Sequence, residues 1–166
     1  MPQLVLIRGN SGSGKSSLAQ KLQDHYGRGC LLISQDLVRR TMLKEKVTSS
    51  NLSISLTETL ARYGYEQDLL VLLEGFYEKE IYGDMLAGLR DLFAPRVQVY
   101  YYDDVSFEET IKRHQTRAKS ADFSPADMKR WWVDKDFLGW QEEVLFTDEI
   151  SLQEAFEQVR SWIDNR

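Results

Sequence analysis

The chain has 166 residues, enough for one domain with a sizeable core and too few for two comfortable ones. With 42% hydrophobic and 28% charged residues it has a globular make-up, which excludes a disordered chain, a collagen-like repeat and a disulfide scaffold. A net charge of −5 argues against a general nucleic-acid binder, because affinity for a phosphate backbone comes from clustered Lys and Arg.

The first apolar run, Leu4-Val5-Leu6-Ile7, is continuous and ends in glycines, which predicts a buried parallel strand. A helix-period stretch follows over 15–26. Leu31–Ile33 is the second strand, with Cys30 at its start as a small buried hydrophobe. Amphipathic stretches over 36–46 and 53–66 lead to a third strand, Leu69–Leu73, closed by Glu74-Gly75. A helix over 78–93 precedes Val97–Tyr102, where Tyr100, Tyr101 and Tyr102 must alternate between the two faces of the sheet. Another helix is expected over 106–118. From Arg117 to about Gln141 the strand rhythm stops. Ser124-Pro125-Ala126-Asp127 starts a short helix there, with a cap residue, proline at the first position and an acid at the third. This insert, about 117–141, reads as a lid or as a packed corner. Trp131, Trp132 and Trp140 within it read mainly as packing anchors. Val144–Phe146 is a weaker fifth strand, and Ser151 with Glu154 forms a capping box for a last helix to about Asn165. Strand and helix in alternation mean an α/β fold with a parallel sheet covered on both faces, in a single domain over 1–166.

Gly9-Asn10-Ser11-Gly12-Ser13-Gly14-Lys15-Ser16 fits the phosphate-loop pattern G-x-x-x-x-G-K-[ST], and it sits where it should, between a strand and a helix. Glycines let the backbone turn its N–H groups inward around phosphate oxygens, and the helix start adds its dipole. Lys15 is expected to reach the β- and γ-phosphates. The Ser16 hydroxyl is expected to hold Mg²⁺, and Ser17 is expected to bind the nucleotide together with the loop. No H-R-D or D-F-G set is present, so a protein kinase is excluded. No guanine signature follows, so a GTPase is not expected. So little chain outside the sheet unit points to a small-molecule kinase.

With these motifs the sequence resembles the compact P-loop kinases that phosphorylate hydroxyls: gluconate kinase, chloramphenicol phosphotransferase, zeta-toxin-like kinases and the 5′-kinase domain of polynucleotide kinases. It looks closest to bacterial members described simply as kinases or AAA-family ATPases. The resemblance implies a three-layer P-loop fold, a five-stranded parallel sheet with helices on both faces and a helical lid. It also implies ATP and Mg²⁺ as cofactors and a small-molecule hydroxyl acceptor.

Asp36 closes the second strand, at the carboxyl edge that faces the phosphate loop. A carboxylate there can orient the acceptor hydroxyl or take its proton. It can equally pair with Arg39 or Arg40 on one helix face. The resemblance gives Asp36 the first role, and gives Arg39, in Asp-x-x-Arg, the acceptor's phosphate or reacting group. Glu74 leaves an apolar strand where packing has no use for a charge. The resemblance places it at the Walker B position, holding a water on Mg²⁺ or touching the acceptor. Phe76 and Tyr77 follow; ordinary packing is the first reading and the acceptor pocket the second. Arg113 and Arg117 share a helix face. The resemblance makes them clamps on the ATP phosphates and neutralisers of transition-state charge, with Arg117 the stronger candidate because Glu109 can pair with Arg113.

His25 and His114 are expected at the surface. Cys30 stands alone, so neither an intramolecular disulfide nor a cysteine-rich zinc site is available. No apolar run approaches the ~20 residues of a membrane span, and the opening MPQLVLIRG lacks the regions of a signal peptide, so a cytoplasmic protein is expected. Two alternatives stay open: a polynucleotide 5′-hydroxyl kinase, which the acidic charge disfavours, and a non-catalytic ATP-binding regulator.

Overall fold

The computed structural model describes residues 1–103, 107–116, 124–130, 135–147 and 149–166. Five strands, β1 (Gln3–Gly9), β2 (Cys30–Ser34), β3 (Leu70–Gly75), β4 (Val97–Tyr102) and β5 (Glu143–Phe146), form one parallel sheet in the order β2-β3-β1-β4-β5. The central strands β1, β3 and β4 are buried nearly throughout, as their apolar runs require. β2 is an edge strand, so most of its residues are only half covered, and Cys30 is half-buried rather than enclosed.

Alternation along the strands sorts the core into two layers. Leu4, Leu6, Ile33, Val71, Leu73, Val97 and Val99 face α2 (Ser53–Glu66) and α3 (Lys79–Phe93). Val5, Ile7, Leu72, Tyr100 and Tyr102 face α1 (Lys15–Tyr26) and α6 (Leu152–Asp164). Tyr101 turns the other way and stands against Phe137 and Arg8. The Ser151–Glu154 capping box forms as the sequence predicts, the Ser151 hydroxyl accepting from the Glu154 N–H at 3.1 Å and Glu154 from the Ser151 N–H at 2.8 Å.

Two helices differ from expectation. The stretch 36–46 is not one α-helix: Leu37–Met42 is a π-helix, closed by Leu43 N–H donating to Val38 O. Beyond it the chain is tied back to Arg39, whose Nη1 donates to the Glu45 carbonyl at 2.9 Å and whose carbonyl accepts from the Glu45 N–H at 2.8 Å. The helix α4 (Phe107–Gln115) buries His114 instead of exposing it, and His25 alone of the two is exposed. The short helix α5 (Pro125–Arg130) starts at the predicted Ser124 cap, whose hydroxyl accepts from the Asp127 N–H at 3.2 Å. Trp140 packs on the α2/α3 layer with Arg90 5.1 Å from its ring. Trp131 and Trp132 lie outside the described residues, as does Arg117. Among the described residues, no helix is long and apolar enough to cross a membrane.

Candidate active site

Four strand ends meet at one edge of the sheet: Gly9 of β1, Ser34 of β2, Glu74-Gly75 of β3 and Tyr102 of β4. Between β1 and α1, residues Asn10, Ser11, Gly12, Ser13 and Gly14 make the loop that the sequence marks for phosphate. α1 opens with Gly14 at its N-cap and no acidic residue in its first turn, so no carboxylate of that turn competes for its N–H groups. Gly12 has φ 78°, and a Cβ there would lie 2.7 Å from the Thr110 carbonyl oxygen and 3.0 Å from Met128 Cε. Only glycine fits, because α4 and α5 rest directly on the loop.

Lys15 is buried, its Nζ donating to the Asn10 carbonyl at 3.1 Å and standing 5.1 Å from the centre of the Phe76 ring. The Ser16 hydroxyl donates to Glu74 Oε2 at 3.2 Å, which joins the loop to the end of β3. Two oxygens of this kind, one hydroxyl and one carboxylate, suit a hard cation that keeps most of its water. From α4, Arg113 Nη1 reaches the Ser13 carbonyl at 2.6 Å while its Nε donates to Glu109 at 3.3 Å. Arg113 thus makes the expected pair with Glu109 and also reaches a carbonyl of the loop. Beside it a cavity of ≈ 290 Å³ opens between Gly12–Gly14, Ser17, Tyr102 and residues 150–152. Burial holds the Tyr102 phenol protonated, and Arg113 acts weakly in the opposite sense.

On the opposite flank, towards β2, the second carboxylate stands in partial solvent. Asp36 Oδ1 is 3.5 Å from Arg40 Nε and 3.7 Å from Arg39 Nη2. Arg39 is nearly buried and its Nε meets no partner among the described residues. The structure therefore gathers the loop residues Gly9 to Ser17, Glu74 and Arg113 around one point, with Asp36 and Arg39 at the neighbouring strand end.

Residues 4–133 match the sequence profile of a family described as AAA domain. The chain belongs to that family. Its fold is that of P-loop kinases. A gluconokinase from Sinorhizobium meliloti 1021 superposes with a TM-score of 0.60 at 17% identity, over 99% of this chain and 93% of that one. An APS kinase from Mycobacterium tuberculosis, solved in complex with AMPPNP and APS, gives 0.68 at 16% identity, over 98% of each chain. A curated relative, probable thymidylate kinase 1 of Saccharolobus solfataricus, is 24% identical over 111 residues, 67% of this chain. The chain spans about half of that relative's length, 53%.

The chain also holds residues around the site that sequence reading missed. Arg8, inside an apolar strand, is fully buried. Its guanidinium donates to Asp136 Oδ2 at 2.6 Å, to the Asp136 carbonyl at 2.8 Å and to the Tyr77 carbonyl at 2.8 Å, with Glu143 at 3.5 Å. Burial lowers the pKa of Arg8, and the charges of Asp136 and Glu143 oppose that. A guanidinium stays charged under such competition. Asp136 in turn accepts from the Lys79 N–H at 2.9 Å, at the start of α3. Gln35 Oε1 accepts from the Tyr77 N–H at 3.0 Å. A Cβ on Gly75 would lie 2.5 Å from Gln35, which explains the glycine after Glu74. The available signal was a charge directly after the apolar run Leu4–Ile7, still inside the strand, where an unpaired arginine could not be buried.

Proposed function

We propose that this AAA domain transfers the γ-phosphoryl group of ATP to a hydroxyl of a small-molecule acceptor, with Mg²⁺. The observation that carries the reading is the 3.2 Å hydrogen bond from Ser16 to Glu74, beside buried Lys15. It sets the loop hydroxyl and the β3 carboxylate together, as a phosphate-loop metal site requires. The gluconokinase and APS kinase among the similar folds support a small acceptor.

In this reading the loop N–H groups from Gly12 to Ser16 hold the phosphates, and Lys15 moves from the Asn10 carbonyl onto the β- and γ-oxygens. Ser16 would hold Mg²⁺ directly and Glu74 through water. The bound metal supplies neutralisation of charge on the phosphate oxygens. Arg113 turns from the Ser13 carbonyl to the same oxygens. Arg117 is assigned to the transferring group on its sequence position alone. Asp36 orients the acceptor hydroxyl and takes its proton as the new O–P bond forms and the bond to ADP breaks. Arg39 binds the acceptor with its guanidinium, of which, among the described residues, Nη1 alone is engaged in a hydrogen bond, to the Glu45 carbonyl. Positioning and charge stabilisation provide most of such catalysis. Residues 1–166 serve as one catalytic domain, with about 117–141 as its lid.

A nucleotide acceptor is the second reading, favoured by the thymidylate kinase relative. The test is ADP release from ATP–Mg²⁺ against a panel of sugars, sugar acids, nucleosides, dTMP, antibiotics and 5′-hydroxyl oligonucleotides, with Asp36→Asn alongside. Acceptor-dependent release that Asp36→Asn loses supports the proposal. Release with dTMP alone selects the second reading, and release with oligonucleotides alone selects a polynucleotide kinase. ATP binding without acceptor-dependent turnover makes the protein a regulator.

A further inference from the structure

We propose that Phe76 is a positioning residue for Lys15. The face of its ring holds the lysine ammonium beside the phosphate loop, so that an incoming nucleotide meets that charge already in place. The inference rests on the phosphoryl-transfer reading above and deepens it.

The surroundings of the ring make the first point. Phe76 is half-buried, and among the described residues it belongs to neither of the two core layers. An aromatic residue after an apolar strand reads first as packing, yet this one leaves the core and reaches the site. Lys15 Nζ stands over its ring, 5.1 Å from the centre. That is inside the roughly 6 Å over which a ring face attracts a cation. Lys15 is buried, so water weakens the attraction little. The same ammonium donates to the Asn10 carbonyl at 3.1 Å, so a loop carbonyl and a ring face share it.

The backbone makes a second, independent point. One turn after β3 meets two consecutive residues of α1: Glu74 Oε2 accepts from the Ser16 hydroxyl at 3.2 Å, and Phe76 meets Lys15. Strand pairing alone does not hold that turn. β1 and β3 pair as far as Arg8 and Gly75, and β2 and β3 as far as Ser34 and Glu74. Beyond those points a side chain from each neighbouring strand takes over. Arg8 donates to the Tyr77 carbonyl at 2.8 Å, and Gln35 Oε1 accepts from the Tyr77 N–H at 3.0 Å. Between them Tyr77 has φ 44°, in the left-handed region that residues with a bulky side chain seldom enter. Asp136 secures the far end, accepting from Arg8 and from the Lys79 N–H where α3 starts. Backbone strain held by its surroundings gathers where a side chain has to be aimed. The groups this turn aims at the loop are the Glu74 carboxylate and the Phe76 ring.

The chemistry follows from the length of lysine. Its flexible stem loses rotamer freedom when the ammonium is fixed on a phosphate oxygen. A ring that keeps Nζ beside the loop takes on part of that ordering before the nucleotide arrives, and preorganisation of this kind raises affinity. An aliphatic side chain of similar bulk has no negative face and cannot do the same.

The test is nucleotide binding, which does not depend on the identity of the acceptor. AMPPNP affinity with Mg²⁺ is measured by calorimetry for the parent, for Phe76→Leu, and for protein with one, two or three ring fluorines on the phenylalanine at position 76. Fluorine barely alters the shape of the ring but drains negative charge from its face. Phe76→Leu should bind AMPPNP about 5- to 20-fold more weakly, the size of a desolvated contact between cation and ring. The fluorinated proteins should weaken stepwise between these limits. In NMR spectra the Lys15 ε-methylene protons should be shifted upfield by the ring in the parent and lie at ordinary positions in Phe76→Leu. Equal affinity across the fluorinated series would mean that the ring only packs, and would overturn the proposal even if Phe76→Leu bound weakly. Tighter binding by Phe76→Leu would overturn it as well, because the ring would then hold Lys15 away from the nucleotide. In both cases AMPPNP still binds and phosphoryl transfer stands. If the parent binds no AMPPNP, phosphoryl transfer and the proposal fall together.

Discussion

Replacing Gly12 by alanine tests whether α4 and α5 truly rest on the phosphate loop. Two costs are expected. The first is backbone strain: at φ 78° a Cβ-bearing residue loses about 1–2 kcal/mol. The second is overlap, because the new methyl would stand 2.7 Å from the Thr110 carbonyl oxygen, 2.9 Å from Thr110 Cγ2 and 3.0 Å from Met128 Cε. The nearest of these is backbone and cannot swing away, so a further loss of about 1–3 kcal/mol is expected, as in other overpacked sites. The structure offers a control. Gly139 has φ 75°, nearly the same, and a Cβ there would meet nothing within 4 Å. Gly139→Ala should therefore show the strain alone. The two variants should differ by about 1–3 kcal/mol in urea unfolding, or by about 2–12 °C in melting temperature for a chain of this length. Equal stability of the two would refute the packing of α4 and α5 on the loop.

Other consequences follow from the same geometry. Asp136→Asn leaves the buried Arg8 guanidinium with Glu143 as its nearest charge, at 3.5 Å, and should cost about 3 kcal/mol in urea unfolding; a loss below about 1 kcal/mol would mean the pair is not what holds the 135–143 segment. Burial pushes the Cys30 thiol up to about 11, against about 8.5 in an unfolded chain. Native protein at pH 8 should then react with a thiol dye roughly two orders of magnitude more slowly than protein in urea, and equal rates would contradict this. Because the folded value is the higher one, the associated stability is complete below about pH 8.5 and is lost as pH rises towards 11. Cys30→Ala should flatten that part of an alkaline unfolding curve.

Much of the fold was legible because its signals are local. Apolar runs of three to six residues between helix-period stretches read as strands, and each was found within a residue or two. The phosphate loop was legible for the same reason, since Gly12, Lys15 and Ser16 act through their own backbone and immediate neighbours. What stayed hidden depends on partners far along the chain. Arg8 finds Asp136, and Tyr77 is clamped by Gln35 and Arg8, at separations that periodicity does not report. The π-helix at Leu37–Met42 stands where a longer helix was expected, and Arg39 there bonds the Glu45 carbonyl six residues on, a local contact that periodicity does not report. His114 read as a surface residue because it forms no recognisable ligand set with other residues of the sequence. It is buried because α4 lies against the loop. The acceptor side was least legible, since Asp36 and Arg39 serve both the local turn and the proposed chemistry.

The most direct test of phosphoryl transfer follows the label from γ-labelled ATP, with Mg²⁺, in the presence of the acceptor panel. Label should appear on an acceptor oxygen in proportion to ADP, stop when the metal is chelated, and fall by at least about 10²-fold in Lys15→Ala. Label found only in inorganic phosphate, or transfer undiminished in Lys15→Ala, would contradict the account.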